Sequence, residues 1–209
     1  MNKIVKDALV LTLITLIAGC ALGLVYEVTK EPILKASEAA TEKAYKEVFE
    51  TAAKFEEMKD FDADKANEII AEKGYTDGTV TTCEVVDCVK ALDSSGNVAG
   101  YVVTMKSKEG YGGDIVFSMG VTKDGVLNGY SITKIDETPG LGMKAKEDKF
   151  MDQFKNKKAT TLEVVKTASN DENAVQAISG ATITSKAITY AVDAGLFYVS
   201  NLLSGGAAS

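Results

Sequence analysis

The stretch DIVFSMGVTKDGVLNGYSITKI, residues 114–135, decides the fold. Asp114–Thr122 and Val126–Ile135 are rich in β-branched and aromatic residues, and Asp124-Gly125 between them is a strong hairpin signal. Upstream, Val98–Met105 has the same character, and the turn residues of 93–97 separate it from Val80–Leu92. Strand signals therefore run from Thr79 to Asp136 with short turns between them, which argues for an antiparallel sheet. Ala159–Val165 and Ala174–Ile178 read as further short strands.

Helical spacing of apolar residues surrounds this β-rich centre. Ile33–Phe55 carries Ala36, Ala40, Ala44, Val48, Ala52 and Phe55, with Tyr45 and Phe49 beside them, and reads as one amphipathic helix. Ala63–Lys73 is expected to be helical, with Asp62 as N-cap, Ala66, Ile69 and Ile70 facing inward, and Gly74 as its stop. Met143–Phe154 reads as a helix with Phe150, Met151 and Phe154 on its apolar side. A closing helix over Ile183–Leu203 is expected to bury Ile183, Ala187, Ile188, Ala191, Val192 and Val199. The fold class is α+β: a mainly antiparallel sheet with flanking helices, preceded by one N-terminal transmembrane helix.

Ala8–Tyr26 carries no charge. As a helix it spans about 28 Å, close to the hydrocarbon thickness of a bilayer. Lys3 and Lys6 precede it and favour an N-terminus in the cytoplasm, with the domain outside. A cleaved signal peptide and a lipoprotein box at Ile17-Ala18-Gly19-Cys20 are the rival readings. The run continues mostly apolar through Val25 and Tyr26, which favours an uncleaved anchor. Glu31-Pro32 is expected to end or kink the helix. The expected division is residues 1–30 as anchor, 31–204 as an extracytoplasmic domain and 205–209 as a loose tail.

Composition excludes several chemistries. The chain has no histidine, and its basic residues are all lysine. A His-based triad, a histidine metal site and a bidentate arginine clamp are absent. The net charge is −7, and an acidic domain without arginine is a poor partner for nucleic acid. Cys83 and Cys88 do not match usual zinc or redox spacings. On one extended strand they point to opposite faces and serve as small core residues, while a disulfide across a local bend is the other possibility.

Three stretches carry candidate chemistry. Ser179-Gly180-Ala181-Thr182 lies between a strand and the closing helix. Its small residues allow close backbone approach, and the hydroxyl of Thr182 stands at a helix N-terminus suited to a phosphate. The alternative is a plain turn with Thr182, Thr184 or Ser185 as N-cap. Gly110-Tyr111-Gly112-Gly113 is either a flexible loop or a site offering backbone N–H groups and one ring. Glu137-Thr138-Pro139-Gly140-Leu141-Gly142 is a turn by itself. It also suits a backbone wall against a flat ligand, with Thr138 as a hydrogen-bonding group and Leu141 as an apolar cover. Lys186, one turn into the last helix, is either solvated or a phosphate neutraliser.

These three stretches and the N-terminal apolar segment together resemble the G subunit of the Rnf electron-transport complex. They also resemble its relative, the C subunit of the sodium-pumping NADH:quinone oxidoreductase. The resemblance covers the whole chain in outline. It implies FMN held by a phosphoester to Thr182, attached by a dedicated flavin transferase. The expected site is then lined by Ser179, Gly180, Ala181, Glu137, Thr138, Gly140, Leu141, Gly142 and Tyr111, with Lys186 added from its place in the helix, and it holds no metal. The family motif usually has Asp three positions before the serine, where this chain has Gln176. The implied role is electron carriage within a membrane complex coupling ferredoxin and NAD chemistry to ion transport, with other membrane subunits as partners. Such a chain is a redox subunit of a translocase and not a stand-alone enzyme. The remaining alternatives are the C subunit of the quinone reductase and an anchored scaffold domain without a cofactor.

Overall fold

The computed structural model describes residues 3–71, 82–158 and 161–205. Its elements are α1 (Lys3–Val48), β1 (Lys54–Glu57), α2 (Ala63–Ala71), β2 (Cys83–Leu92), β3 (Val98–Ser107), β4 (Ile115–Thr122), β5 (Leu127–Lys134), α3 (Asp148–Met151), β6 (Glu163–Val165), β7 (Ala174–Gln176) and α4 (Thr182–Leu203). Short 3-10 turns at Gly142–Lys146 and Asp152–Phe154 flank α3. The chain divides into two units, residues 1–40 and residues 41–209.

In the first unit, α1 is apolar enough and long enough to cross a membrane. Leu9, Leu11, Leu13, Leu16 and Ile17 are all exposed, so no packed core accounts for them. Thr12 and Thr15 return their hydroxyls to the carbonyls of Ala8 and Leu11, which satisfies them in an apolar setting. Pro32 lies inside α1, so of the two expected outcomes, an end or a kink, the end does not occur. A proline removes one backbone hydrogen bond and crowds the preceding turn, and here the helix carries that defect without ending.

In the second unit, five strands form an antiparallel sheet in the order β1-β2-β3-β4-β5, as the run of strands and short turns dictates. The β4–β5 hairpin turns at Asp124-Gly125, where Gly125 takes a φ of 76°. One face of the sheet packs on α4: Val103, Met105, Phe117 and Met119 share a core with Ala187, Ile188, Ala191 and Val192. The other face receives the last turns of α1, where Tyr45, Val48 and Phe49 cover Val89, Ala91 and Val102. A polar row crosses that face. Asp87 accepts from Tyr45 Oη at 2.8 Å, Thr104 and Ser118 pair at 3.1 Å, and Ser131 donates to Glu47 at 2.6 Å. Each hydroxyl of this row thus has a partner, as burial demands.

Several expectations change. The amphipathic helix does not run to Phe55: α1 ends at Val48, and Phe55 lies in edge strand β1, paired with Ala91. Ala36 and Ala40 are exposed. The helix expected at Met143–Phe154 breaks into three short turns because Glu147 takes extended backbone angles, though Phe150 and Phe154 are buried as expected. Asp62 does cap α2, its Oδ1 accepting from the N–H groups of Asp64 and Lys65. Gly74, the first residues of the Val80–Leu92 strand, Ala159 and the tail beyond Gly205 lie outside the described residues. Strands β6 and β7 pair in parallel, a small departure within a mainly antiparallel fold.

The two cysteines do not point to opposite faces. A bulge between Val85 and Asp87 inserts one residue and resets the alternation, so Cys83 packs against the core that holds Cys88. Among the described residues no disulfide joins them.

Candidate functional site

The loop of residues 108–114, the loop after β5 and the start of α4 meet around a cavity of about 510 Å3. Its lining includes Tyr111, Glu137, Thr138, Leu141, Gly142, Gly180, Ala181 and Thr182. That volume falls within the ordinary range for small-molecule and cofactor sites. Three stretches far apart in sequence therefore meet at one cavity.

Glu137 joins them. It is buried, and its Oε1 accepts from the backbone N–H of Tyr111 at 2.8 Å and of Gly112 at 3.4 Å. The loop packs so closely that a side chain at Gly112 would overlap the carbonyl oxygen of Asp136. On its other side, Glu137 Oε2 lies 2.5 Å from where a Gly142 Cβ would stand, and Thr184 Oγ1 lies 2.7 Å from the same point. Gly142 is thus required by the approach of two polar groups.

The wall opposite begins α4. Gly180 takes a φ of 78°, which reverses the chain after β7 with little strain only because no Cβ is present. Ala181 occupies the N-cap position, and no side chain caps the helix among the described residues. The alternative reading, with Thr182, Thr184 or Ser185 as cap, is thereby set aside. Ser185 instead accepts from the N–H of Ile178 at 2.9 Å and donates to the carbonyl of Ala181 at 2.9 Å, bracing the turn from behind. The first N–H groups of α4 are left at the cavity side, where an anion is favoured. Thr182 is exposed at this end.

Ile183 departs from expectation in a telling way. It is 54% exposed and lines the cavity, although its spacing assigns it to the core. Tyr111 and Leu141 are exposed as well, at 73% and 41%, so three large apolar side chains rim the opening. Thr184, considered in the sequence only as a cap, is buried on the floor. No signal in its own neighbourhood marks it, because its placement depends on Glu137 and Gly142.

Not every expected site residue reaches the cavity. Lys186 Nζ stands 5.8 Å from the ring centre of Tyr190, and Lys186 does not line the site. Ser179 lines a neighbouring cavity of about 430 Å3 with Lys144, Lys149 and Gln176. Gly140, with a φ of 76°, forms the turn that carries Leu141 and is not itself in the lining.

These residues fit FMN. An uncapped helix start suits its phosphate, buried oxygen groups suit hydroxyls, and an exposed apolar rim suits a flat ring. Comparison with known proteins agrees. Residues 110–196 match the FMN-binding domain family. The chain is 38% identical over 200 residues to the G subunit of the Na+-translocating ferredoxin:NAD+ oxidoreductase complex of Acetobacterium woodii, covering 94% of this chain and 92% of that one. It is 44% identical over 131 residues to the G subunit of the proton-translocating ferredoxin:NAD+ oxidoreductase complex of Clostridium ljungdahlii, covering 63% and 62% respectively. The crystal structure of Shewanella oneidensis NqrC shares the fold, with a TM-score of 0.51 at 21% identity over 79% of this chain and 88% of that one. By its match along nearly its whole length, the chain belongs to the G-subunit family of ion-translocating ferredoxin:NAD+ oxidoreductase complexes.

Proposed function

We propose that this protein is the FMN-carrying electron-transfer subunit of a membrane ion-translocating ferredoxin:NAD+ oxidoreductase complex. Its cofactor is joined through the phosphate to Thr182. The single observation that carries the reading is the meeting of Thr182, at an uncapped helix start, with the apolar rim of Tyr111, Leu141 and Ile183 around one cavity. Family membership supplies the setting. Two relatives within that family are named for different ions, sodium and proton.

FMN, when bound, supplies the redox chemistry, and the protein supplies position and surroundings. The N–H groups at the start of α4 hold the phosphate. Tyr111, Leu141 and Ile183 shield a ring from water, and Thr138 offers a hydroxyl at the same wall. A phosphate at an exposed helix start gains only about 0.3–1 kcal/mol per charge, roughly fivefold per charge at best. That is too little to retain a mobile carrier, which gives a covalent link to Thr182 its physical sense. A flavin transferase makes that link, the exposed hydroxyl of Thr182 being open to it.

The test is flavin fluorescence in a denaturing gel after co-expression with a flavin transferase. The parent and Thr184→Ala are expected to fluoresce, and Thr182→Ala is expected not to. Circular dichroism checks that each variant folds. Fluorescence in Thr182→Ala but not in Thr184→Ala would overturn the assignment. A dark parent would overturn the covalent reading as a whole.

A further inference from the structure

Glu137 and Thr184 form a polar floor beneath an apolar rim. Thr184 is 1% exposed, yet its hydroxyl has no hydrogen-bond partner among the described residues and it lines the cavity. Glu137 is 8% exposed and spends Oε1 on two backbone N–H groups, which leaves Oε2 without a protein partner among the described residues. Both oxygens close on Gly142, within 2.7 Å of the point a Cβ would take there. Neither atom is among the fully buried unpaired ones, so both oxygens are open to the cavity, where a ligand group can take the place of water at them.

The chemistry of the pair restricts that group. A carboxylate only accepts hydrogen bonds, whereas a threonine hydroxyl both donates and accepts. An alcohol satisfies both at one atom, donating to Glu137 and accepting from Thr184. Position restricts it further. Thr184 follows Thr182 by two residues in the first turn of α4, about 3 Å further along the helix axis. The part of FMN nearest its phosphate is the ribityl chain, a run of adjacent hydroxyls, while its ring is the far end. The apolar side chains lie at the exposed rim and the oxygens on the buried floor, which matches that order.

We infer that Glu137 and Thr184 recognise the polyol chain of the cofactor, and so determine which flavin the site accepts. This rests on the assignment of Thr182 as the attachment point. The two groups select for hydroxyls next to the phosphate, and the rim accepts the ring with little discrimination.

The experiment uses the full chain in detergent with Thr182→Ala, which removes the tether, and two probes: riboflavin, which has the polyol, and lumiflavin, which has the ring without it. Binding is read from the quenching of flavin fluorescence. Riboflavin is expected to bind about tenfold more tightly than lumiflavin, the effect of one or two hydrogen bonds to a charged or buried group. Adding Thr184→Val or Glu137→Gln is expected to erase most of that advantage and leave lumiflavin unchanged. The Gln carbonyl still accepts from the Tyr111 and Gly112 N–H groups, so that variant keeps the loop. If both probes weaken together, the floor reads the ring edge and the inference is wrong. It is equally wrong if the two probes do not differ in the starting protein, including if neither binds. Failure of the attachment reading shows separately, as a parent protein dark in the denaturing gel.

Discussion

At the scale of single residues, the site is organised by what is missing at position 142. A methyl group there would meet Glu137 Oε2, Thr184 Oγ1 and Glu137 Cβ at 2.5, 2.7 and 2.8 Å, all too close for ordinary contact. Gly142→Ala must therefore push the carboxylate or the hydroxyl aside. Overpacking of this kind costs about 1–3 kcal/mol, which lowers Tm by roughly 2–4 °C per kcal/mol in a domain of this size. Thermal unfolding followed by circular dichroism checks it, and an unchanged Tm would show that the floor is looser than the distances state. Gly140 and Gly180, both at positive φ, serve a different purpose: they turn the chain so that Leu141 and Thr182 reach the cavity.

At the scale of elements, β5 holds the site from below. Tyr130 donates to the carbonyl of Ala145 at 2.7 Å and stands edge-on to Phe117 and Phe154, with ring centres 5.5 and 5.0 Å away. The turn that follows Gly142 is thereby fixed to the sheet. Burial pushes the Tyr130 phenol up, and it pushes the Cys88 thiol in β2 from 9.0 to about 12, with Asp87 adding to the effect. Both groups release their protons more readily unfolded than folded. The unfolded chain then binds fewer protons above pH 9, so stability falls as pH rises from about 9 towards 12. Cys88 alone lowers it by about 2 kcal/mol at about pH 10.5. Urea midpoints near pH 8 and near pH 10.5 measure this, and Cys88→Ala should flatten part of the decline. Equal midpoints would contradict the burial of these groups.

At the scale of the whole molecule, the first forty residues and the domain are separate units suited to different solvents. The apolar side chains of residues 8–26 face outward along α1, while the domain buries its own behind the sheet. The charges of Lys3 and Lys6 before the span favour an N-terminus inside and a domain outside. The purified protein is expected to retain its first 26 residues and to need detergent, and protease added outside intact cells is expected to digest the domain. A lipid-bearing N-terminus at Cys20 would replace the anchor. Digestion only after lysis would reverse the orientation.

Much of this was legible in the residues themselves, because local chemistry carried it. The hairpin at Asp124-Gly125, the Asp62 cap, the apolar span and the closing helix each depend on neighbours a few positions away. The three site stretches stood out through their resemblance to a known family, since each by itself also reads as a plain turn. Tertiary structure alone decided the rest. Edge strand β1 has four residues and only Phe55 partly covered, so its pairing with β2 is made by backbone and leaves no side-chain pattern. The bulge after Val85 reversed the facing of Cys83 relative to Cys88. Ile183 fits a core pattern by spacing, but it lies where α4 emerges from the sheet and its apolar surface turns to the cavity. The pairing of Glu137 with Thr184 across Gly142 joins positions far apart in sequence. Only the packing of α4 against the sheet brings them together, and no local preference encodes that distance.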